Sequence, residues 1–162
     1  MEKKYASLAE ASAVWLCFDK LEEADWSGRL YTRYKAEPAG FDSIKKLLDL
    51  LEQFYDRIGY PQAAVQGRSF REGERGRKDP AAGRQKGQKA RRVEVMEREE
   101  MEKLHGEKAT FIVRIQYRQN ATWQGQVTWA EENKTMNFRS ALELIRLIDS
   151  TAEAKKAAAD GE

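Results

Sequence analysis

One cysteine and one histidine occur in 162 residues. With Cys17 alone, an intramolecular disulfide and a cysteine metal site are both excluded. His105 stands in a charged stretch before Gly106, without the Cys or Asp/Glu pattern that a metal site or nucleophilic triad needs. It reads as an exposed helix-end residue. Cys17 lies among apolar and aromatic neighbours, the setting of an inert buried thiol. No apolar run is long enough to span a membrane. MEKKYASLAEAS lacks the basic head, apolar core and small-residue cleavage site of a secretory signal. Neither a P-loop nor GxGxxG is present to cradle a phosphate. The carboxylates gathered in Glu94–Glu102 read as a solvated helix face rather than an acid–base pair. The expectation is a cytoplasmic protein that is not an enzyme, with no catalytic residues, metal or cofactor.

What is present is a repeat. Val14–Glu52 and Phe111–Asp149 align without a gap at an offset of 97 residues. Seven positions are identical: Ala24/Ala121, Trp26/Trp123, Gly28/Gly125, Phe41/Phe138, Ser43/Ser140, Leu47/Leu144 and Leu50/Leu147. Chance supplies roughly two or three identities over that length. Val14/Phe111, Leu16/Val113, Phe18/Ile115, Leu30/Val127, Leu48/Ile145 and Leu51/Ile148 all stay apolar. The fold class expected is α+β: internally duplicated β-meander-plus-helix units, ββ(β)α twice, that form an antiparallel sheet with helices on one face. The two copies complete each other's core as a pseudo-dimer. Trp26 and Trp123 read as core or turn-packing residues, and Gly28 and Gly125 as places of close backbone approach or bulging.

Local patterns divide the chain into a first unit (1–61), a basic flexible linker (62–92), a short helix (93–106), a second unit (107–152) and a frayed tail (153–162). Lys3–Ala11 reads as a helical lead-in and Ala13–Asp19 as a strand. Gly28–Tyr34 alternates, Leu30, Thr32 and Tyr34 against Arg29, Tyr31 and Arg33, as a strand with one buried face does. Pro38-Ala39-Gly40 is expected to break it. Asp42–Ile58 carries a helical stripe, Ile44, Leu47, Leu48, Leu51, Phe54, Tyr55 and Ile58. Asp42 or Ser43 can cap its start, and Gly59 and Pro61 can end it. Val93–Leu104 has plausible helical spacing. Phe111–Arg118 and Trp123–Trp129 alternate as strands, Thr135–Phe138 offers a third, and Ser140/Glu143 have capping-box spacing at the next helix.

The net charge of +2 is segregated. Between Arg68 and Arg92 there are ten Lys/Arg against three Asp/Glu, a net of +7, which leaves −5 for the rest. The linker has five glycines and almost nothing apolar from Gln66 to Ala90, so no core can be built from it. Such arms attract phosphate backbones by counterion release, and Arg71, Arg75, Arg77, Lys78, Arg84, Lys86, Lys89, Arg91 and Arg92 would make the contacts. On the sheet, the side turned away from the apolar faces would present Arg29, Tyr31, Arg33, Arg114, Gln116, Arg118, Gln124, Gln126 and Thr128. A basic, amide-rich surface of that kind suits nucleic acid; it is also what an ordinary solvated sheet presents.

Asn120-Ala121-Thr122-Trp123-Gln124-Gly125 resembles the (D/N)-x-S-x-x-G motif of PilZ domains, with Thr122 in place of Ser, and Arg71-Glu72-Gly73-Glu74-Arg75 has the spacing of their R-x-x-x-R. That resemblance implies cyclic dinucleotide binding. FRSALELIRLID with the preceding ATWQGQVTW resembles small uncharacterised bacterial proteins, some associated with mobile elements, and implies an accessory or regulatory role without assigning any residue. The reading that follows is a small non-enzymatic binding protein whose basic arm and polar sheet face engage nucleic acid or a nucleoprotein. The alternatives are a protein–protein inhibitor or adaptor that docks on an acidic protein surface, and a PilZ-like dinucleotide binder.

Overall fold

The computed structural model describes residues 3–23, 25–61, 70, 92–118 and 122–160. β1 (Lys3–Ser7) runs into the short helix α1 (Leu8–Ala11), and a meander of β2 (Val14–Glu22), β3 (Asp25–Thr32) and β4 (Lys35–Phe41) leads into α2 (Ile44–Ile58). Then come β5 (Arg92–Met96), the short helix α3 (Arg98–Met101), and a meander of β6 (Ala109–Tyr117), β7 (Gln124–Trp129) and β8 (Lys134–Phe138) that leads into α4 (Ala141–Asp160). Six strands form one antiparallel sheet in the order β4–β3–β2–β6–β7–β8, and β1 pairs with β5 in a separate two-stranded sheet. The fold is α+β, with four helices among the described residues.

The register relates residues 97 apart. At the centre Trp15 pairs with Ile112, flanked by Val14↔Val113 and Leu16↔Phe111. Phe18 pairs with Gly28, and Ile115 with Gly125; Gly28 in turn faces Phe41, and Gly125 faces Phe138. A bulge falls between Phe18 and Lys20, and another between Ile115 and Tyr117. Ser43 accepts the Lys46 N–H at 3.1 Å and Ser140 the Glu143 N–H at 3.1 Å, each satisfying an otherwise unpaired amide of the first turn. Gly59 ends α2 in the left-handed region, φ 67°, with its N–H on the Tyr55 carbonyl at 3.0 Å.

One face of the sheet, the front, carries α2 and α4. Val14, Leu16, Phe18, Phe111, Val113 and Ile115 meet Leu47, Leu51, Phe54 and Tyr55 of α2 and Leu144 and Ile148 of α4 in the main core. Phe18 is its hub, with edge-on contacts to Trp26, Phe41 and Phe111 at centroid distances of 5.5, 5.4 and 5.6 Å. Trp26 is fully buried and Trp123 packs partly buried against the same core.

The other face, the back, departs from expectation. The spacing in Val93–Leu104 predicts a helix, but Arg92–Met96 is a strand and only Arg98–Met101 is helical. Lys3–Ala11 likewise divides into β1 and α1. The two segments pair with each other, and burial of Val95 and Met96 between layers outweighs a weak helical stripe. Ala13 and Trp15 are covered from the back by Met96 and Met101, so β2 is buried on both faces and helices lie on both sides of the sheet. The strand read at Gly28–Tyr34 ends at Thr32, ahead of Pro38, and Pro38-Ala39-Gly40 lies in a further strand, β4, an edge where a missing N–H costs no ladder bond. α4 is assigned as helix to Asp160. The linker expected at 62–92 lies outside the described residues except for Phe70, which is exposed, and Arg92.

An added Cβ at Gly28 would collide with the Cys17 carbonyl oxygen, and one at Gly125 with that of Arg114; at Gly40 it would meet nothing within 4 Å. Gly28→Ala and Gly125→Ala are therefore expected to cost about 3 kcal/mol each, with Gly40→Ala close to neutral. Urea midpoints for the three variants would check this. Equal midpoints would remove the close-approach explanation.

Candidate functional site

Over β2 and β3 the back face is closed by Met96, Met101 and Leu104. Beside them, over β6–β8, lies a cleft of about 450 Å³. Two cross-strand rows build its floor. Trp15, Ile112, Thr128 and Thr135 form one; Arg114 and Gln126, in line with Asn137, form the other. Arg98, Glu102, Leu104 and His105 make the wall.

That wall is pinned to the sheet. Gly106 donates its N–H to the Thr110 hydroxyl at 2.9 Å, and Lys108 donates its N–H to the Phe18 carbonyl at 2.9 Å. A Cβ at Gly106 would strike the Phe18 and Ala109 backbones, so only glycine lets the loop approach this closely. The Ala130 N–H closes the far end on the Thr110 carbonyl at 2.9 Å. The cleft is thus preformed by hydrogen bonds that tie its wall and far end to the sheet.

Its charges are unevenly matched. Arg98 Nε lies 3.2 Å from Glu102 Oε1, an exposed pair. His105 Nδ1 is 3.9 Å from Glu131 Oε2, an attraction present only when the ring is protonated. The Thr128 and Thr135 hydroxyls are bonded to each other at 2.9 Å. Arg114 is only partly exposed, and among the described residues it makes no hydrogen bond or ion pair. A guanidinium held against a sheet without an acceptor is an electrostatic opening for an anion.

Of the residues expected on this face, the cleft gathers Arg114, Gln126 and Thr128. Arg29 is engaged internally: it donates to the Tyr31 hydroxyl at 2.8 Å and to Asp19 at 3.3 Å, and it stacks over the Tyr31 ring at 5.6 Å. Arg33 is a correction. It is only 5% exposed, lying under β5 with Nε on the Met96 carbonyl at 2.9 Å. Arg118 is a second correction. The bulge before Tyr117 reverses the alternation and turns Arg118 to the front, where it is 4% exposed. There it donates to the Pro61 carbonyl at 2.6 Å, pairs with Asp56 at 2.7 Å and lies over Tyr55 at 5.9 Å. Gln124 opens β7 opposite Tyr117 and is not in the cleft. Gln116, on the bulge, is exposed and also outside it.

Arg92 begins β5 opposite Ser7. Arg71, Arg75, Arg77, Lys78, Arg84, Lys86, Lys89 and Arg91 lie outside the described residues, as does Asn120 of the PilZ-like motif. Arg98, His105, Asn133 and Thr135 were not singled out from the sequence as lining residues. The i,i+4 pair Arg98/Glu102 was readable as a helix turn, but Thr135 enters only once the β7–β8 register is known.

A second cavity of about 600 Å³ lies at the front edge, walled by Leu30, Thr32, Tyr34, Leu50, Phe54 and Ile58. It is mainly apolar, with Lys35, Glu37 and Arg57 at its rim. Among the described residues no group of three or more His, Cys, Asp or Glu converges as metal ligands do. No helix among them is long and apolar enough to cross a membrane. No protein-family model, curated protein or solved structure matches this chain. The fold itself defines the class: an α+β protein with an open antiparallel sheet and a preformed polar cleft on its back face.

Cys17 lies behind this face, fully buried. Burial pushes its thiol up to about 11 from 9.0; Arg29 opposes the rise, and Asp19 and Glu131 add to it. A raised folded value means that the native state holds the proton more tightly than the unfolded chain does. Its contribution to stability is complete below pH 9 and is lost as pH climbs towards 11. Denaturant midpoints should therefore fall across that window, less steeply in Cys17→Ala. A thiol reagent at pH 8 should label Cys17 only at the rate of unfolding. Fast native labelling would contradict the buried placement.

Proposed function

We propose that the back face binds nucleic acid through its phosphate backbone, as a non-enzymatic accessory element, and that the body is a duplicated strand–strand–strand–helix unit fused into a pseudo-dimer. The observation that carries the binding reading is the Arg114 guanidinium, without a partner among the described residues, in a preformed polar cleft on the face to which the basic segment is tethered. Arg92 starts β5 and Arg98 starts α3, so the end of the basic segment lies within about 20 Å of the cleft wall. A cationic arm of that length, anchored beside a cationic cleft, can follow a phosphate chain leading out of it. Phosphate contacts give affinity with little sequence preference, while Gln126 and the threonine hydroxyls offer donors and acceptors to sugars and base edges.

For the duplication, the support is the common offset of 97 at the central pair, both bulges, both closely approached glycines and both serine caps. The axis relating the halves would pass between Trp15 and Ile112.

Fluorescence anisotropy with labelled single- and double-stranded oligonucleotides over a salt series tests the binding. The intact protein would be measured beside a variant with Arg71, Arg75, Arg77, Lys78, Arg84, Lys86, Lys89 and Arg91 changed to Gln. The expected result is a steep fall of log affinity with log salt. In the variant the slope should flatten by roughly 0.7 for each single-strand phosphate that is no longer neutralised. Absence of binding by the intact protein at low salt would overturn the reading and favour a protein partner.

A further inference from the structure

We propose that Arg98 and Arg114 form a phosphate-binding centre in the back-face cleft, and that Arg33, buried outside the cleft lining on the same face, adds a fixed cation to its field. The inference rests on the binding reading above and names the chemistry by which that site takes its ligand.

The geometry follows from the sheet. Val14 pairs with both Thr32 and Val113. One step further along, Ala13 falls between Arg33 and Arg114, two strand spacings or about 10 Å apart across the back face. Ala13 is buried on this face, with Met96 and Met101 packed against it, so the two arginines flank that small cluster. Arg98 faces Arg114 across the same cleft.

Among the described residues, Glu102 on Arg98 is the one carboxylate within ion-pair distance of the three arginines. Arg33 is 5% exposed, and its Nε is committed to a neutral carbonyl. Burial pushes its guanidinium below the usual range; Glu10 and Glu99 favour the charged form, while Arg98 and Arg114 oppose it. A buried cation without a contacting carboxylate is costly unless an anion shares its site. About two positive charges are left over. A carboxylate presents two coplanar oxygens, which suit one arginine fork; a tetrahedral phosphate offers oxygens to cations approaching from different sides.

The test uses the full chain, inorganic phosphate and an oligonucleotide with a terminal phosphate. Melting in phosphate against acetate at equal ionic strength reads the centre directly. Anisotropy reads the nucleic acid. Wild type should be stabilised by phosphate, and R114Q should not. R114Q should also bind the oligonucleotide about ten- to hundredfold more weakly at low salt, the loss of one charged hydrogen-bonding group. R114K should recover part of this, and R98Q, on an exposed turn, should show a smaller loss in the same direction. Phosphate stabilisation lost in R114Q, without oligonucleotide binding, would keep the centre and assign it to free phosphate, against the nucleic-acid reading. Oligonucleotide affinity and phosphate stabilisation unchanged in both folded variants would overturn the centre and leave nucleic-acid binding to the basic segment.

Discussion

The pairing of β2 with β6 is the constraint on which the rest of the structure depends. Five consecutive ladder pairs, Val14↔Val113 to Phe18↔Ala109, join the two meanders. They bring the front residues of both under α2 and α4 and set Trp15 beside Ile112 on the back. Fully burying a Val, Leu, Ile, Phe or Met side chain contributes roughly 1.5–3 kcal/mol, whereas an exposed ion pair contributes under about 1 kcal/mol. Lys20–Asp25, Lys45–Asp49 and Arg139–Glu143 are exposed pairs of the second kind. The seam and its two cores therefore dominate, and the surface charges are available for other work.

Two bulges decide where those charges go. Simple alternation along Phe111–Arg118 would send Arg114, Gln116 and Arg118 to one face. The extra residue between Ile115 and Tyr117 sends Arg118 to the other, where Pro61, Asp56 and Tyr55 hold it. The bulge between Phe18 and Lys20 likewise turns Leu21 into the front core. The back face thus has fewer free arginines than alternation implies, and Arg114 is distinguished from them by its lack of a partner among the described residues.

Much of the front half of this architecture was legible in the chain. Helical spacing, Ser43 and Gly59 located α2, and the third strand read at Thr135–Phe138 corresponds to β8 at Lys134–Phe138. The back was less legible, because its elements owe their form to partners distant in sequence. Arg92–Met96 is a strand through pairing with Lys3–Ser7, about 90 residues earlier in the chain. Ser7 and Glu10 cap each other at 3.3 Å and could have marked the start of α1 within the stretch read as one helix. Trp15 and Cys17 alternate with Val14, Leu16 and Phe18, but all five are apolar. Such a run signals burial on both faces without saying what covers the second. The cleft needed α3 and the β7–β8 register, so only Arg114, Gln126 and Thr128 of its lining were anticipated.

The central functional claim is that the preformed back face, rather than the apolar front, meets the ligand. Nitrogen-15 NMR of the intact protein, titrated with a short single-stranded oligonucleotide and observing the backbone amides and the arginine Nε–H groups, tests it most directly. The expected shifts fall on Arg98, Arg114, Gln126 and Thr128, with α2 and α4 unmoved. Shifts confined to α2 and the front groove around Tyr34 and Phe54, with Arg114 silent, would contradict the account.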